Sequence, residues 1–157
     1  MIFLTHLLGG ILAIVYFGHF FGISGNSGGS EKIVLILVAA LFALAPDIDT
    51  IKSKAGKLLQ PFSTVFSWLF KHRGFLHSFA FVALVYFGMR YLFSSTVAAA
   101  AASGYSSHLL LDSLTKEGIM PFSPLSRKKL KGFIKTGGLL EKVVLAIMAV
   151  LLLLKLS

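Results

Sequence analysis

Residues 75–114 read FLHSFAFVALVYFGMRYLFSSTVAAAAASGYSSHLLLDSL, which is two apolar stretches joined by a short turn. The first stretch ends at Phe93 and the second begins at Thr96, and each has about the 20 residues that a helix needs to cross a bilayer. Helices joined by so short a turn are antiparallel neighbours. The segment therefore predicts a transmembrane helical hairpin.

The open end of this hairpin carries ionisable side chains. His77 stands near the start of the first helix, and His108 and Asp112 lie near the end of the second. Ionisable groups inside membrane segments are costly and usually functional. His108 and Asp112 are four residues apart and so share one helix face. This spacing suits two ligands of one metal ion, and it equally suits a His/Asp hydrogen bond that joins helices.

Similar apolar stretches occur on both sides of the hairpin. The chain has 157 residues, of which 56% are apolar and 13% charged, a composition typical of one integral membrane domain. Residues 62–70 show apolar side chains at helical spacing and predict a short helix in the membrane interface. We predict an all-α, polytopic transmembrane bundle of about five spans plus this interfacial helix, in a single domain over 1–157. The spans are roughly 2–23, 33–46, 75–93, 96–114 and 139–156.

The basic residues are distributed unevenly about these spans. Twelve Lys and Arg fall on the side of the ionisable helix ends and three on the other side, and loops rich in Lys and Arg stay in the cytoplasm. We therefore predict a multi-pass protein of the cell (inner) membrane, N-in and C-out, with the ionisable ends facing the cytoplasm. The charges lie in loops rather than on one soluble face, which argues against a nucleic-acid partner and favours anionic lipids.

Metal binding is the second prediction. Without cysteine, any metal must be held by nitrogen and oxygen ligands, as zinc, manganese and iron all tolerate. Asp47 and Asp49 end the second span, and two carboxylates so close repel unless a cation or a proton neutralises one. His72 and His77 flank a glycine before the third span, where His77 should lie in the first helical turn. Each of these side chains has a plainer explanation as a solvated group at a loop boundary.

The predicted metal ligands share one membrane face, and they are His6, Asp47, Asp49, His72, His77, His108 and Asp112. A lone histidine such as His6 is more often a satisfied interior residue, but the position of His6 at the cytoplasmic end of its span makes the two explanations equal. His19 lies near the opposite end of the same helix, roughly 20 Å away at 1.5 Å per residue, and is excluded. We expect a divalent ion, with zinc first and manganese or iron as alternatives.

Three residues are candidates for catalysis. Arg73 can hold a phosphate bidentately or serve as an ordinary cytoplasmic charge. Asp49 and Glu141 are the candidates for orienting a water molecule. Glu141, at the start of the last span, is by composition alone most simply a charge in the first turn of a helix.

The ordered set of these motifs resembles a known family. It comprises His6, P-D-I-D at 46–49, H-R-G-F-L-H-S at 72–78, and His108 and Asp112 followed by Thr115, and it is similar to the YdjM-like family of inner-membrane metal-dependent hydrolases. The resemblance spans nearly the whole chain. It implies a helical membrane protein with a hydrolytic metal centre, sometimes compared with zinc-dependent phospholipase C enzymes. By the same resemblance, the seven predicted ligands form the site and Glu141 is a further family position.

The expected function is hydrolysis of a phosphoester in a membrane lipid or lipid-linked phosphate, with a polyprenyl headgroup as one example. Arg73 and nearby lysines would stabilise the phosphate. One alternative is a transporter or proton relay, against which the far half of the membrane offers only His19 and Arg90. The other is a helix bundle with a structural metal.

Overall fold

The computed structural model describes residues 1–21, 28–49 and 75–156. In this part the chain forms five helices and no strand, which confirms the all-α prediction. The helices are α1 (Phe3–Phe17), α2 (Gly29–Leu44), α3 (Phe79–Leu92), α4 (Ser95–Ser113) and α5 (Leu139–Leu156). Short 3-10 turns follow α1 and α2, over Gly18–Phe21 and Ala45–Asp49, and another precedes α3 over Phe75–His77. The predicted interfacial helix at 62–70 lies outside the described residues.

Two segments of the described chain are long and apolar enough to cross a membrane, namely Phe3–Phe20 and Gly29–Asp47. The second begins inside the Gly/Ser-rich stretch and so is longer than the 33–46 expected from the sequence. α3 is apolar but has only 14 residues, fewer than the roughly 20 of a full crossing. α4 contains His108, Asp112 and several serines, and α5 carries charges at both ends. These polar and charged residues distinguish α4 and α5 from the two candidate spans. The fold is therefore a helical bundle in which the number of spans stays a prediction.

α3 starts later than the apolar pattern suggested. Ser78 is its N-cap, and the Ser78 hydroxyl accepts a hydrogen bond from the Phe81 backbone N–H. Serine is a favoured N-cap because its oxygen satisfies one of the unpaired N–H groups at a helix start. His77 consequently lies in the turn before the helix, and not in its first turn as predicted.

α4 is the central helix and packs against α1, α2 and α3, while α5 packs against α1. The contact between α4 and α2 is close because Gly104 faces the backbone of Ala39, and a Cβ at Gly104 would overlap the Ala39 carbonyl oxygen. Small residues allow helices to approach in this way. His108 lies one turn beyond Gly104, so this close approach brings it to the C-terminal end of α2.

Replacing Gly104 with alanine should separate α2 from α4 and destabilise the protein by about 1–3 kcal/mol, the usual cost of overpacking. Gly88 in α3 is a matched control, because a Cβ there meets nothing within 4 Å. Thermal unfolding in detergent should show a lower midpoint for Gly104→Ala and a midpoint equal to or above that of the parent for Gly88→Ala, because alanine favours a helix more than glycine does. Equal midpoints would contradict the packing described.

The segment between α4 and α5 is folded onto the end of the bundle. Backbone hydrogen bonds pair Thr115 with Gly132 and Ile119 with Leu130, which closes the segment on itself. The Phe79 N–H donates to the Pro121 carbonyl over 2.9 Å and attaches the segment to the start of α3. This loop therefore lies at the end of the bundle where α4 ends and α3 begins.

Candidate metal centre

Four polar side chains meet in the interior at this end of the bundle. They are His6 from the first turns of α1, His77 from the turn before α3, and His108 and Asp112 from α4, and each is 0% exposed. Asp47, from the turn that follows α2, borders them with its side chain 21% exposed. Burying so many ionisable groups together is costly unless a counter-charge compensates for it.

The separations between their ligand atoms are close to those of groups that share an ion. Asp112 Oδ2 lies 3.8 Å from His108 Nε2 and 3.9 Å from His77 Nε2, and Asp47 Oδ1 lies 3.8 Å from His108 Nε2. These distances are too long for hydrogen bonds. Two ligand atoms that are each about 2.1 Å from a tetrahedral ion are about 3.4 Å apart. The spacing is therefore slightly wider than that of a metal-bound set.

Two overlapping groups of three ligands can be drawn in the described part of the chain. One is His6, Asp47 and His108, and the other is His77, His108 and Asp112; in each group the ligand atoms lie within 4.8 Å of one another. Because His108 belongs to both, the five residues form one contiguous donor set. Asp112 Oδ1 also lies 3.4 Å from His6 Nε2 and 2.7 Å from the α-amino nitrogen of Met1.

The tautomer of His108 follows from its surroundings. Its Nδ1 is 2.7 Å from the Ala43 carbonyl oxygen, which can only accept a hydrogen bond, so Nδ1 carries the proton. In the neutral ring Nε2 then has a lone pair, and this lone pair lies next to the carboxylates of Asp47 and Asp112. Nε2 has no hydrogen-bond partner among the described residues. A lone pair beside two carboxylates is unfavourable unless a proton or a metal cation lies between them, and a hydrogen bond from the other ring nitrogen to a carbonyl is typical of metal-bound histidine.

His6 adds a second imidazole on the same side. Its ring stacks on that of His108, with centroids 3.7 Å apart and planes 12° apart. In the part of the chain that the structure describes, neither ring nitrogen of His6 makes a hydrogen bond of good geometry, and Nε2 faces Asp112 Oδ1 at 3.4 Å. Two stacked imidazoles would repel each other if both were protonated. The stacked pair therefore places two imidazoles where their nitrogen atoms can serve as ligands of a common ion.

Glu141 has a different environment from the donor set. Its buried carboxylate accepts hydrogen bonds from the Thr5 hydroxyl over 3.0 Å, from the Gly137 N–H over 2.6 Å and from the Ile2 N–H. These bonds join the first turn of α1, which carries His6, to the start of α5. Glu141 belongs to neither group of three ligands, and its catalytic role stays a prediction. The sequence analysis does not predict a role for Thr5. The one signal for it is that Thr5 is a polar residue next to His6 in an apolar stretch.

The predicted ligands fall into two sets. The structure brings together His6, Asp47, His77, His108 and Asp112. Asp49 ends the turn after α2, but its side chain is not among those described, and His72 and Arg73 lie outside the described residues. His19 lies in the turn at the opposite end of α1, as expected.

The fold and the site define an all-helical protein with a buried His/Asp cluster whose geometry could hold a metal ion. The chain matches the model of the family described as YdjM inner membrane protein over residues 1–156, and it belongs to that family. The family inferred from the motifs is thereby confirmed, and so is the membrane location; the hydrolase activity that the resemblance implies stays a prediction. The topology and the side on which the cluster lies stay predictions.

Curated relatives agree with this assignment. The chain is 33% identical over 144 residues to "Uncharacterized protein YvsG" of Bacillus subtilis (strain 168), which covers 90% of this chain and 86% of that protein. It is 37% identical over 87 residues to "Inner membrane protein YdjM" of Escherichia coli (strain K12), which covers 52% of this chain and 44% of the other. No solved structure matches the chain.

Proposed function

We propose that this protein is a membrane-embedded, metal-dependent hydrolase that cleaves a phosphoester in the headgroup of a membrane lipid or a lipid-linked phosphate at the cytoplasmic face. The observation that carries the proposal is the position of His108 Nε2, which lies 3.8 Å from a carboxylate oxygen of Asp47 and of Asp112, a spacing that a divalent cation can bridge. A divalent ion fits this nitrogen and oxygen set, with zinc first and manganese or iron as alternatives. When bound, such an ion polarises a phosphoryl oxygen and activates water.

The exposure of the donor set indicates the direction from which a substrate approaches. Asp47 is the partly exposed member, whereas His6, His77, His108 and Asp112 are fully buried. A headgroup would therefore reach the ion past Asp47. On this proposal the buried residues hold the ion in place, while Asp49 and Arg73, close to Asp47 or to His77 in sequence, orient water and bind phosphate.

An apolar cavity supports a lipid as the substrate. The space has a volume of about 630 Å³ and lies between α1, α4 and α5. Gly9 and Leu111 line the end of it that is nearest in sequence to His6 and Asp112, and apolar side chains such as Leu12 and Leu151 line the remainder. A cavity of this composition suits a hydrocarbon chain. A lipid held there would have its headgroup at the level of the donor set.

The exposed surface supports further spans beyond α1 and α2. Large apolar side chains on α3 and α5 are widely exposed, among them Phe87 at 68%, Tyr91 at 90% and Leu154 at 68%. Soluble proteins seldom expose so much contiguous apolar surface. We propose that lipid covers these helices together with α4, which gives five spans and places the donor set on the side of the basic loops.

A screen of purified protein against phospholipids and polyprenyl phosphates tests this function. The metal-loaded protein should hydrolyse at least one of these phosphoesters, chelation should abolish the activity, and a divalent metal should restore it. The full burial of four donors also favours a purely structural metal. Bound metal without hydrolysis across the panel would contradict the hydrolase and support the structural role. Hydrolysis that survives chelation would contradict the metal dependence of the reaction.

A further inference from the structure

The loop over 115–138 combines an ordered backbone with an unusual surface. Its inner face is buried through Ile119 and Ile134, which are 2% and 4% exposed. Its outer face presents Leu125 at 96%, Phe133 at 69% and Phe122 at 60% exposure. Since the loop has a buried side of its own, these three large apolar side chains are displayed by a folded element.

Positive charge surrounds these side chains. The loop contains six basic residues and one acidic residue. Arg127, Lys128 and Lys129 follow Leu125 closely and are exposed. The single acid, Glu117, accepts a hydrogen bond from the Thr136 hydroxyl over 3.3 Å. Exposed apolar side chains among exposed cations suit a surface of anionic headgroups above a hydrocarbon layer.

We propose that the 115–138 loop is a membrane-surface anchor that binds anionic phospholipid headgroups through its Lys and Arg side chains and inserts Phe122, Leu125 and Phe133 at the acyl boundary. The loop lies at one end of the helical bundle, because it directly connects the end of α4 with the start of α5. This is the level at which the surface of a membrane is expected. It also contacts the start of α3 through the rings of Phe79 and Phe122, whose centroids are 5.9 Å apart. This inference is independent of any hydrolytic activity.

Charge argues for lipid over a second copy of the chain as the partner. The whole chain has only six acidic residues against fifteen basic ones. Two of the six, Asp112 and Glu141, are fully buried. Another copy therefore has at most four acidic residues to pair with the loop, whereas anionic phospholipids supply both negative headgroups and an apolar layer.

Tryptophan fluorescence can test the anchor in the full-length protein. Trp68 is the only tryptophan, so Trp68→Phe provides a silent background for Leu125→Trp. The protein is reconstituted in nanodiscs of phosphatidylcholine alone or mixed with phosphatidylglycerol, with and without bromine on the acyl chains. We expect emission from position 125 to be blue-shifted and quenched by bromolipid, and more strongly so in the anionic discs.

Charge variants provide the matched comparison. Arg127→Gln, Lys128→Gln and Lys129→Gln together should remove the extra quenching in anionic discs. The same loss of three charges through Lys32→Gln, Arg90→Gln and Lys155→Gln, which lie in other elements, should leave it unchanged.

Three outcomes would overturn the anchor. Solvent-like, unquenched emission in anionic discs would show that the loop does not insert. Equal quenching in both lipid mixtures would exclude selective binding of anionic headgroups. Emission that is blue-shifted without bromine quenching, with crosslinks to another polypeptide, would assign the surface to a protein partner.

Discussion

His108→Ala should purify with at least about tenfold less bound metal than the parent protein, the lower end of the loss seen when groups that support a metal ligand are removed. The reason is geometric, since His108 Nε2 belongs to both groups of three ligands and faces Asp47 and Asp112 at 3.8 Å. The measurement is elemental analysis of the detergent-purified protein after equilibration with a limiting concentration of zinc.

His19→Ala is the control for this experiment. It removes an imidazole from the opposite end of α1, where the side chain is exposed, and it should leave the metal content unchanged. His6→Ala, at the near end of the same helix, should lower the metal content. Equal metal in the His19 and His108 variants, with both folded, would exclude the donor set described here.

Much of this site was predictable because its residues mark helix ends. An acid or histidine at the end of an apolar stretch is visible in sequence, and the antiparallel packing of short-looped helices brings such ends together. The i, i+4 spacing of His108 and Asp112 likewise fixes them on one helix face. The structure confirms that both point into the interior with His6 and His77.

Other features depend on tertiary contacts that sequence patterns do not show. Glu141 accepts hydrogen bonds from Ile2 and Thr5, which lie more than 130 residues away in the sequence. Ile2 donates its backbone N–H, a group that every residue type except proline offers. The protonated Nδ1 of His108 likewise depends on the backbone carbonyl of Ala43. Every residue type has such a carbonyl, so the sequence does not mark this partner. The apolar pattern predicts a start of α3 that is too early, because Phe75 and Leu76 continue the pattern up to the Ser78 cap.

The remaining large effect concerns the two acids predicted to orient water, for which we expect different outcomes. Asp49→Asn should lower turnover by about two to four powers of ten while metal is retained, the range expected when a general acid or base is removed. Glu141→Gln should act through the fold, because each oxygen of that carboxylate already accepts a hydrogen bond. The amide nitrogen of glutamine would face an N–H donor and leave it unsatisfied, at a cost of about 1–3 kcal/mol.

Three measurements on each variant separate catalysis from positioning: the kcat on a cleaved lipid phosphoester, the metal content and the midpoint of thermal unfolding. For Asp49→Asn we expect a low kcat with metal and midpoint unchanged. For Glu141→Gln we expect a lower midpoint and weaker metal binding, because Glu141 holds the first turn of α1 that carries His6, while the metal-saturated variant should recover most of its kcat. A Glu141→Gln protein with normal metal and midpoint but a kcat reduced by orders of magnitude would instead make Glu141 the catalytic carboxylate.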